Sequence, residues 1–124
     1  MEEFRLSRSK GRVRTELLAY HLGSDLIVCL YNESAHLGAV AVADYDHKEQ
    51  RASTSVITRL GHKDDEIARR QAHLIARRTE KPVCVICGVH LDNITKPEID
   101  EFLAQSDSLV EELLDQLGTV SPEG

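Results

Sequence analysis

Lys81-Pro82-Val83-Cys84-Val85-Ile86-Cys87-Gly88-Val89-His90 is the stretch on which the fold turns. Pro82 forbids a helix running into it, and Val83 to Val89 is apolar at nearly every position, the pattern of a strand covered on both faces. It reads as the central strand of a sheet. Upstream, Asp64, Asp65 and Glu66 put acidic side chains where a helix amino terminus favours them. Ile67, Ala68, Ala72, Ile75 and Ala76 then recur at helical spacing, so a helix is predicted over 64–79. Downstream, Thr95-Lys96-Pro97-Glu98 fits a capping box, with proline in the first turn where a missing N–H costs little, and starts a helix from Lys96 to about Ala104. Ser106-Asp107-Ser108 offers a second cap before the stripe Leu109, Val110, Leu113, Leu114 and Leu117, which Gly118 closes.

Toward the amino terminus, Arg12 to His21, Gly23-Ser24 and Asp25 to Leu30 form a hairpin signal. Gly38 to Ala43 is followed by a polar turn, Asp44 to Gln50, and by Arg51 to Thr58, rich in β-favouring residues. These read as four antiparallel strands. The expectation is a single α/β (α+β) domain over 1–124, a mixed, largely antiparallel sheet packed by helices, with residues 1–10 and 119–124 as flexible ends. There is no internal repeat and no low-complexity linker.

At 124 residues such a chain buries roughly two-thirds of the surface its unfolded form exposes, so it needs no staples. Cys29, Cys84 and Cys87 all sit in apolar runs, where cysteine behaves as a small hydrophobe, and no disulfide framework is indicated. No apolar run approaches the roughly 20 residues that span a bilayer, and the start carries no stretch of signal-peptide length. A cytoplasmic protein without a membrane role is expected. The formal charge of −6 argues against general affinity for nucleic acid. Its distribution is uneven: Arg5, Arg8, Lys10, Arg12 and Arg14 crowd the start, while no lysine or arginine follows Pro97. Two readings stand, solvated faces or complementary patches at a subunit interface.

Enzyme signatures of the P-loop, Rossmann, G-x-S-x-G and H-E-x-x-H kinds are absent. Cys84 and Cys87 have the spacing of a redox or metal pair, but residues three apart on a strand point to opposite faces. What remains is a set of histidines at element junctions: His36 before the strand at Gly38, His62 before the helix at Asp64, and His90 at the exit of the central strand. Ligands in open sheets sit beyond strand ends, so the three junctions can share one pocket. Gly38 and Gly88 remove side chains beside His36 and His90, which admits either a ligand or another backbone. Lys63 and Lys96 each stand next to the free N–H groups of a helix start, a phosphate-binding arrangement. His21, His47 and His73 read as surface residues.

His36-Leu37-Gly38, His62-Lys63-Asp64 with its following helix, and Gly88-Val89-His90-Leu91-Asp92-Asn93-Ile94-Thr95-Lys96 resemble the motifs of the LpdD-like prenylated flavin chaperones, the small D subunit associated with gallate decarboxylase. The likeness covers roughly residues 20 to 117, and Gly-x-His-x-x-x-Ile-Thr-Lys is its most specific part. It departs at Ala39, where an acidic residue is expected. The resemblance implies a homodimeric fold similar to proteasome assembly chaperones. It also implies a role in binding reduced prenylated FMN and delivering it to UbiD-type apo-decarboxylases.

The leading reading is therefore a non-catalytic flavin nucleotide carrier, with His36, Gly38, His62, Lys63, Asp64, Gly88, His90, Asn93, Thr95 and Lys96 as the cofactor-binding set. Lysines and helix-start amides take the phosphate, and histidines and Asn93 meet the polar edge of the ring system. Two alternatives stay open. One is a metal-dependent enzyme with His36, His62 and His90 as ligands and Asp64 as orienting group or base. The other is a protein-assembly chaperone with no small-molecule ligand.

Overall fold

The computed structural model describes residues 2–59 and 64–119. Six strands and two helices follow one another as β1 (Glu3–Lys10), β2 (Val13–Leu22), β3 (Asp25–Tyr31), β4 (Ala39–Asp46), β5 (Arg51–Thr58), α1 (Asp65–Thr79), β6 (Val83–Gly88) and α2 (Lys96–Gln116). The strands form one sheet in the order β1-β2-β3-β6-β4-β5. β6 runs parallel to β3 and antiparallel to β4, and the other pairs are antiparallel, so the sheet is mixed and largely antiparallel as expected. β6 is indeed interior. It separates the hairpin β2–β3 from the hairpin β4–β5, which the sequence reading left unplaced relative to each other.

β6 is not covered on both faces. Val83, Val85 and Cys87 are buried under the helices, while Cys84 and Ile86 are half-buried on the opposite side. Both helices lie on one face: α1 over β4, β5 and β6, and α2 over β1 and β2. The core is the layer between, where Leu17, Val28, Leu30, Ile75, Phe102, Leu109 and Leu113 lose their solvent contact. Each of these large side chains contributes about 1.5–3 kcal/mol.

Two further expectations are corrected. Glu3–Lys10, read as part of a flexible end, is β1, paired along its whole length with β2. Phe4 and Leu6 point inward against the core, and the intervening polar residues give this edge strand the charge that discourages further pairing. The two carboxy-terminal helices are one, Lys96–Gln116. Ser106 does not cap a second helix. Its hydroxyl donates to the Phe102 carbonyl at 2.8 Å, one turn back, and Phe102, Gln105, Ser106, Leu109, Val110, Leu113 and Leu114 form one continuous buried stripe. The capping box at the start of α2 is present as read, with Thr95 Oγ1 accepting from the Glu98 amide and Glu98 accepting from the Thr95 amide at 2.9 Å.

The uneven charge is resolved within the chain. Arg8 pairs with Glu112, Lys10 with Glu101 and Arg12 with Glu98, so the basic β1–β2 hairpin neutralises the acidic outer side of α2. Residues 120–124, read as part of a loose tail, lie outside the described residues.

Candidate functional site

Topology gathers the candidate residues before any side chain is considered. Because β6 stands between β3 and β4, the β3–β4 connection must cross the carboxyl end of β6. The β1–β2 turn, the β3–β4 and β6–α2 connections, and the amino termini of α1 and α2 all lie at that same end of the sheet.

The crossing is close. A Cβ on Gly88 would stand 1.7 Å from the His36 carbonyl oxygen, and one on Gly38 would stand 2.0 Å from Asp64 Oδ2. Both glycines are thus demanded by contact within the protein: Gly88 admits the His36 backbone, and Gly38 admits a carboxylate. The Gly38 amide also donates to the Cys87 carbonyl at 3.1 Å.

Asp64 is 4% exposed and precedes α1 without capping it through its side chain. Its Oδ1 accepts from the Val89 amide at 3.1 Å and from the Cys87 thiol at 3.7 Å, and its Oδ2 lies 3.6 Å from His36 Nε2. The acid expected to complement a helix dipole therefore binds the end of β6 to the start of α1. Burial, reinforced by the Asp64 charge and hydrogen bond, pushes the Cys87 thiol far above its ordinary range. His36 Nδ1 meets the Ser34 carbonyl at 2.9 Å, which turns Nε2 inward to Asp64.

Asn32, overlooked in the sequence, organises the other side. It is 2% exposed, donates to the His90 carbonyl at 2.7 Å and accepts from the His90 amide at 3.3 Å, while the Ser34 amide donates to the same oxygen at 3.1 Å. Asn32-Glu33-Ser34 after an apolar strand is an Asx-turn signal that could have exposed it. Arg59 also went unread: its guanidinium donates to the Leu37 carbonyl and its amide to the Gly38 carbonyl, holding the crossing segment from β5.

His90 turns outward, with Nε2 2.9 Å from Asp92 Oδ1. Asn93 takes a left-handed conformation (φ 54°) in the turn before α2. Lys96 reaches Asp100 at 3.1 Å, and Thr95 caps α2. The structure thus joins His36, Gly38, Asp64 and Gly88 in one contact group. It sets His90, Asn93, Thr95 and Lys96 on the neighbouring segment at the same sheet end. His62 and Lys63 lie outside the described residues. Among the described residues no group of three or more histidine, cysteine, aspartate or glutamate side chains is arranged to hold a metal. Cys84 and Cys87 face opposite sides of the sheet, and Ala39, in place of an acidic residue, is buried on the helix side.

Beside this group, on the face without helices, lies an apolar depression of about 410 Å³ lined by Leu18, Cys29, Tyr31, Ala35, His36, Leu37, Ile86 and Gly88. A more polar depression of about 750 Å³, sharing Tyr31 and bearing Arg12, Arg14 and Asn32, continues it toward the β1–β2 turn. Arg12 grips Glu98 through Nε and Nη2, both at 2.8 Å, and that grip holds the Glu98 carboxyl down at about 2.

This architecture recurs in a solved structure. Over 95% of this chain and 97% of the other, it is similar to a chain from the crystal structure of a novel chaperone complex for yeast 20S proteasome assembly, with a TM-score of 0.58 and 19% sequence identity. No curated protein matches the chain. Residues 9–118 match the prenylated flavin chaperone LpdD-like domain, and the chain belongs to that family. Among the described residues no helix is long and apolar enough to cross a membrane.

Proposed function

We propose that this chain is a non-catalytic carrier that binds reduced prenylated FMN at the sheet end bearing His36 and His90 and delivers it to UbiD-type apo-decarboxylases in the cytoplasm. The observation that carries the reading is the meeting of the His36–Gly38, Asp64 and Gly88–Lys96 segments at one end of the sheet, beside an apolar depression that His36, Leu37 and Gly88 help to line. The residues present suit such a ligand. Leu18, Cys29 and Ile86 offer an apolar floor to a flat ring, and His36, whose nitrogens face Ser34 and Asp64, forms part of the rim. Phosphate would be met at this end by the amides at the start of α2 and by Arg14 and Lys96, which would exchange their present partners Glu16 and Asp100 for it. As cargo, the reduced flavin supplies its chemistry in the recipient enzyme. This chain's residues hold it, shield it and let it go, so affinity is moderate rather than extreme.

The reading includes a homodimer. Val40, Val42 and Ile57 lie together on the open sheet face, none of them lining the depression, and Val42 and Ile57 are 52% and 74% exposed. A second copy packed against this patch covers it and leaves the depression to the ligand.

Anaerobic native mass spectrometry with reduced prenylated FMN tests both parts. A two-chain species carrying ligand is expected, with binding weakened in His90→Ala and Lys63→Ala and, for the latter, a reduced salt dependence. The reading falls if no ligand is retained, or if both variants, shown folded by circular dichroism, bind as the parent does.

A further inference from the structure

Two depressions of opposite character meet on the open face at one aromatic side chain, Tyr31, which lines both. On the reading that this chain carries a flavin nucleotide, we propose that Tyr31 and Glu16 form a subsite for the hydroxyl-bearing chain of that ligand. The flat ring then rests in the apolar depression, the chain crosses Tyr31, and the phosphate lies beyond, toward Arg14 and the start of α2.

Strand alternation sets the order of these groups. Along β2, Arg14, Glu16 and Leu18 project from the open face, while Val13, Thr15 and Leu17 are buried on the helix side. On the neighbouring strand Tyr31 is paired with Glu16, and Cys29 with Leu18. On its other side Tyr31 is paired with Gly88, whose missing side chain lets the His36 backbone cross. Tyr31 is therefore held between a carboxylate and the crossing segment, at the step where the surface changes from apolar to polar. Leu18 and Arg14 are four residues apart, about 13 Å at the rise of a strand, which accommodates a flat ring followed by a short polyol chain.

The chemistry on either side of Tyr31 decides which part of the ligand goes where. No other phenylalanine or tyrosine lines either depression, so Tyr31 alone offers a phenol ring to a flat heterocycle. Its hydroxyl has no hydrogen-bond partner among the described residues. The polar depression holds Glu16 and Glu33 beside Arg12 and Arg14, with Arg12 committed to Glu98 and Arg14 to Glu16 at 2.6 Å. Its carboxylates repel a phosphate placed among them but accept hydrogen bonds from neutral hydroxyl groups. Arg12 brings the first turn of α2 to the far wall, because its partner Glu98 belongs to that turn. Arg14 turning to a phosphate there frees Glu16 to accept from the chain.

The test uses the full chain, titrated anaerobically with reduced prenylated FMN and with the same ligand after enzymatic removal of its phosphate. The parent is expected to bind both, the second more weakly. Tyr31→Phe, which loses only the hydroxyl, should weaken both about threefold, and Tyr31→Ala, which also loses the ring, more than about tenfold. Glu16→Gln should weaken the phosphate-free ligand about three- to tenfold. In the parent, nuclear Overhauser contacts should run from the Tyr31 ring to the chain protons of the bound ligand. A parent that retains neither ligand takes down the carrier reading and the subsite with it. A parent that binds, with all three variants folded by circular dichroism and binding as it does, overturns the subsite alone. So does a parent that binds only the phosphorylated ligand, or a Glu16→Gln protein that binds the phosphate-free ligand more tightly. Should Tyr31→Ala not fold, Tyr31→Phe and the ring contacts decide, and bound ligand whose chain protons show no contact with Tyr31 overturns the proposal.

Discussion

Replacing Gly88 by alanine introduces one methyl group where the His36 carbonyl oxygen already stands, 1.7 Å from the position of the new carbon. Real contacts of this kind do not fall below 3.0 Å, so the crossing segment must retreat by well over an ångström. The obstacle is backbone, which cannot rotate away as a side chain can. Retreat strains the Gly38 amide to Cys87 carbonyl bond and the Asn32 contacts at the root of the same segment. Alanine in place of strand glycine would otherwise gain about 0.5–1 kcal/mol in backbone entropy. Overpacking costs about 1–3 kcal/mol or more, and with a backbone obstacle the upper end applies, leaving a net loss of about 2–3 kcal/mol. For a chain of this length that is a fall in melting temperature of roughly 10 °C. Calorimetry reads the fall, and hydrogen exchange should show the Gly38 and Val89 amides opening faster than amides of α2. A Gly88→Ala protein that melts within about 2 °C of the parent would refute the reasoning.

Asn32→Asp removes the donor facing the His90 carbonyl and places a charge beside it, so urea denaturation should show a loss of about 2–3 kcal/mol; an unchanged midpoint would contradict the role given to Asn32. Glu98 titrates at about 2 when folded, below the ordinary 4.5, so its contribution is complete above about pH 4.5 and disappears as pH falls toward 2. The parent should lose urea stability over that window more steeply than Glu98→Gln, and equal slopes would count against the Arg12–Glu98 grip. Burial and the Asp64 charge raise the Cys87 thiol, so iodoacetamide at pH 8 should leave Cys87 unmodified in the folded protein while half-buried Cys29 and Cys84 react slowly. Mass spectrometry finding Cys87 labelled as fast as Cys84 would reject that burial. Ile57→Glu, on the open face, should leave the melting temperature of the single chain unchanged and shift the proposed dimer to monomer in sedimentation; an unaltered dimer would exclude this face as the interface.

Signals that depend on neighbours in the chain were legible without coordinates. The apolar run Val83–Val89, the helical stripe behind Asp64 and the Thr95–Glu98 capping box are set by local backbone chemistry, and each appears where the spacing put it. Local signals also misled. Ser106 has the chemistry of a cap, yet a buried stripe running from Phe102 to Leu114 keeps the helix going, because packing along twenty-one residues outweighs one hydroxyl's preference. β1 was hidden because an edge strand with two inward apolar residues has no pattern of its own. β2 and α2 supply its hydrogen bonds and its core contact.

The candidate site divides the same way. That His36, Asp64 and the Gly88–Lys96 segment stand at element junctions is written in the sequence, because strands and helices end where their periodicities end. That these junctions share one end of the sheet follows from β6 inserting between β3 and β4, a pairing among residues far apart in the chain, such as Ala39 with Cys87, that no local pattern encodes. The same insertion drives the His36 backbone across Gly88. It turns Asp64 from a helix-start acid into the buried tie between α1 and β6, and it makes Asn32 the clamp on His90. Residue type set which groups could act, and the long-range strand order decided which of them meet.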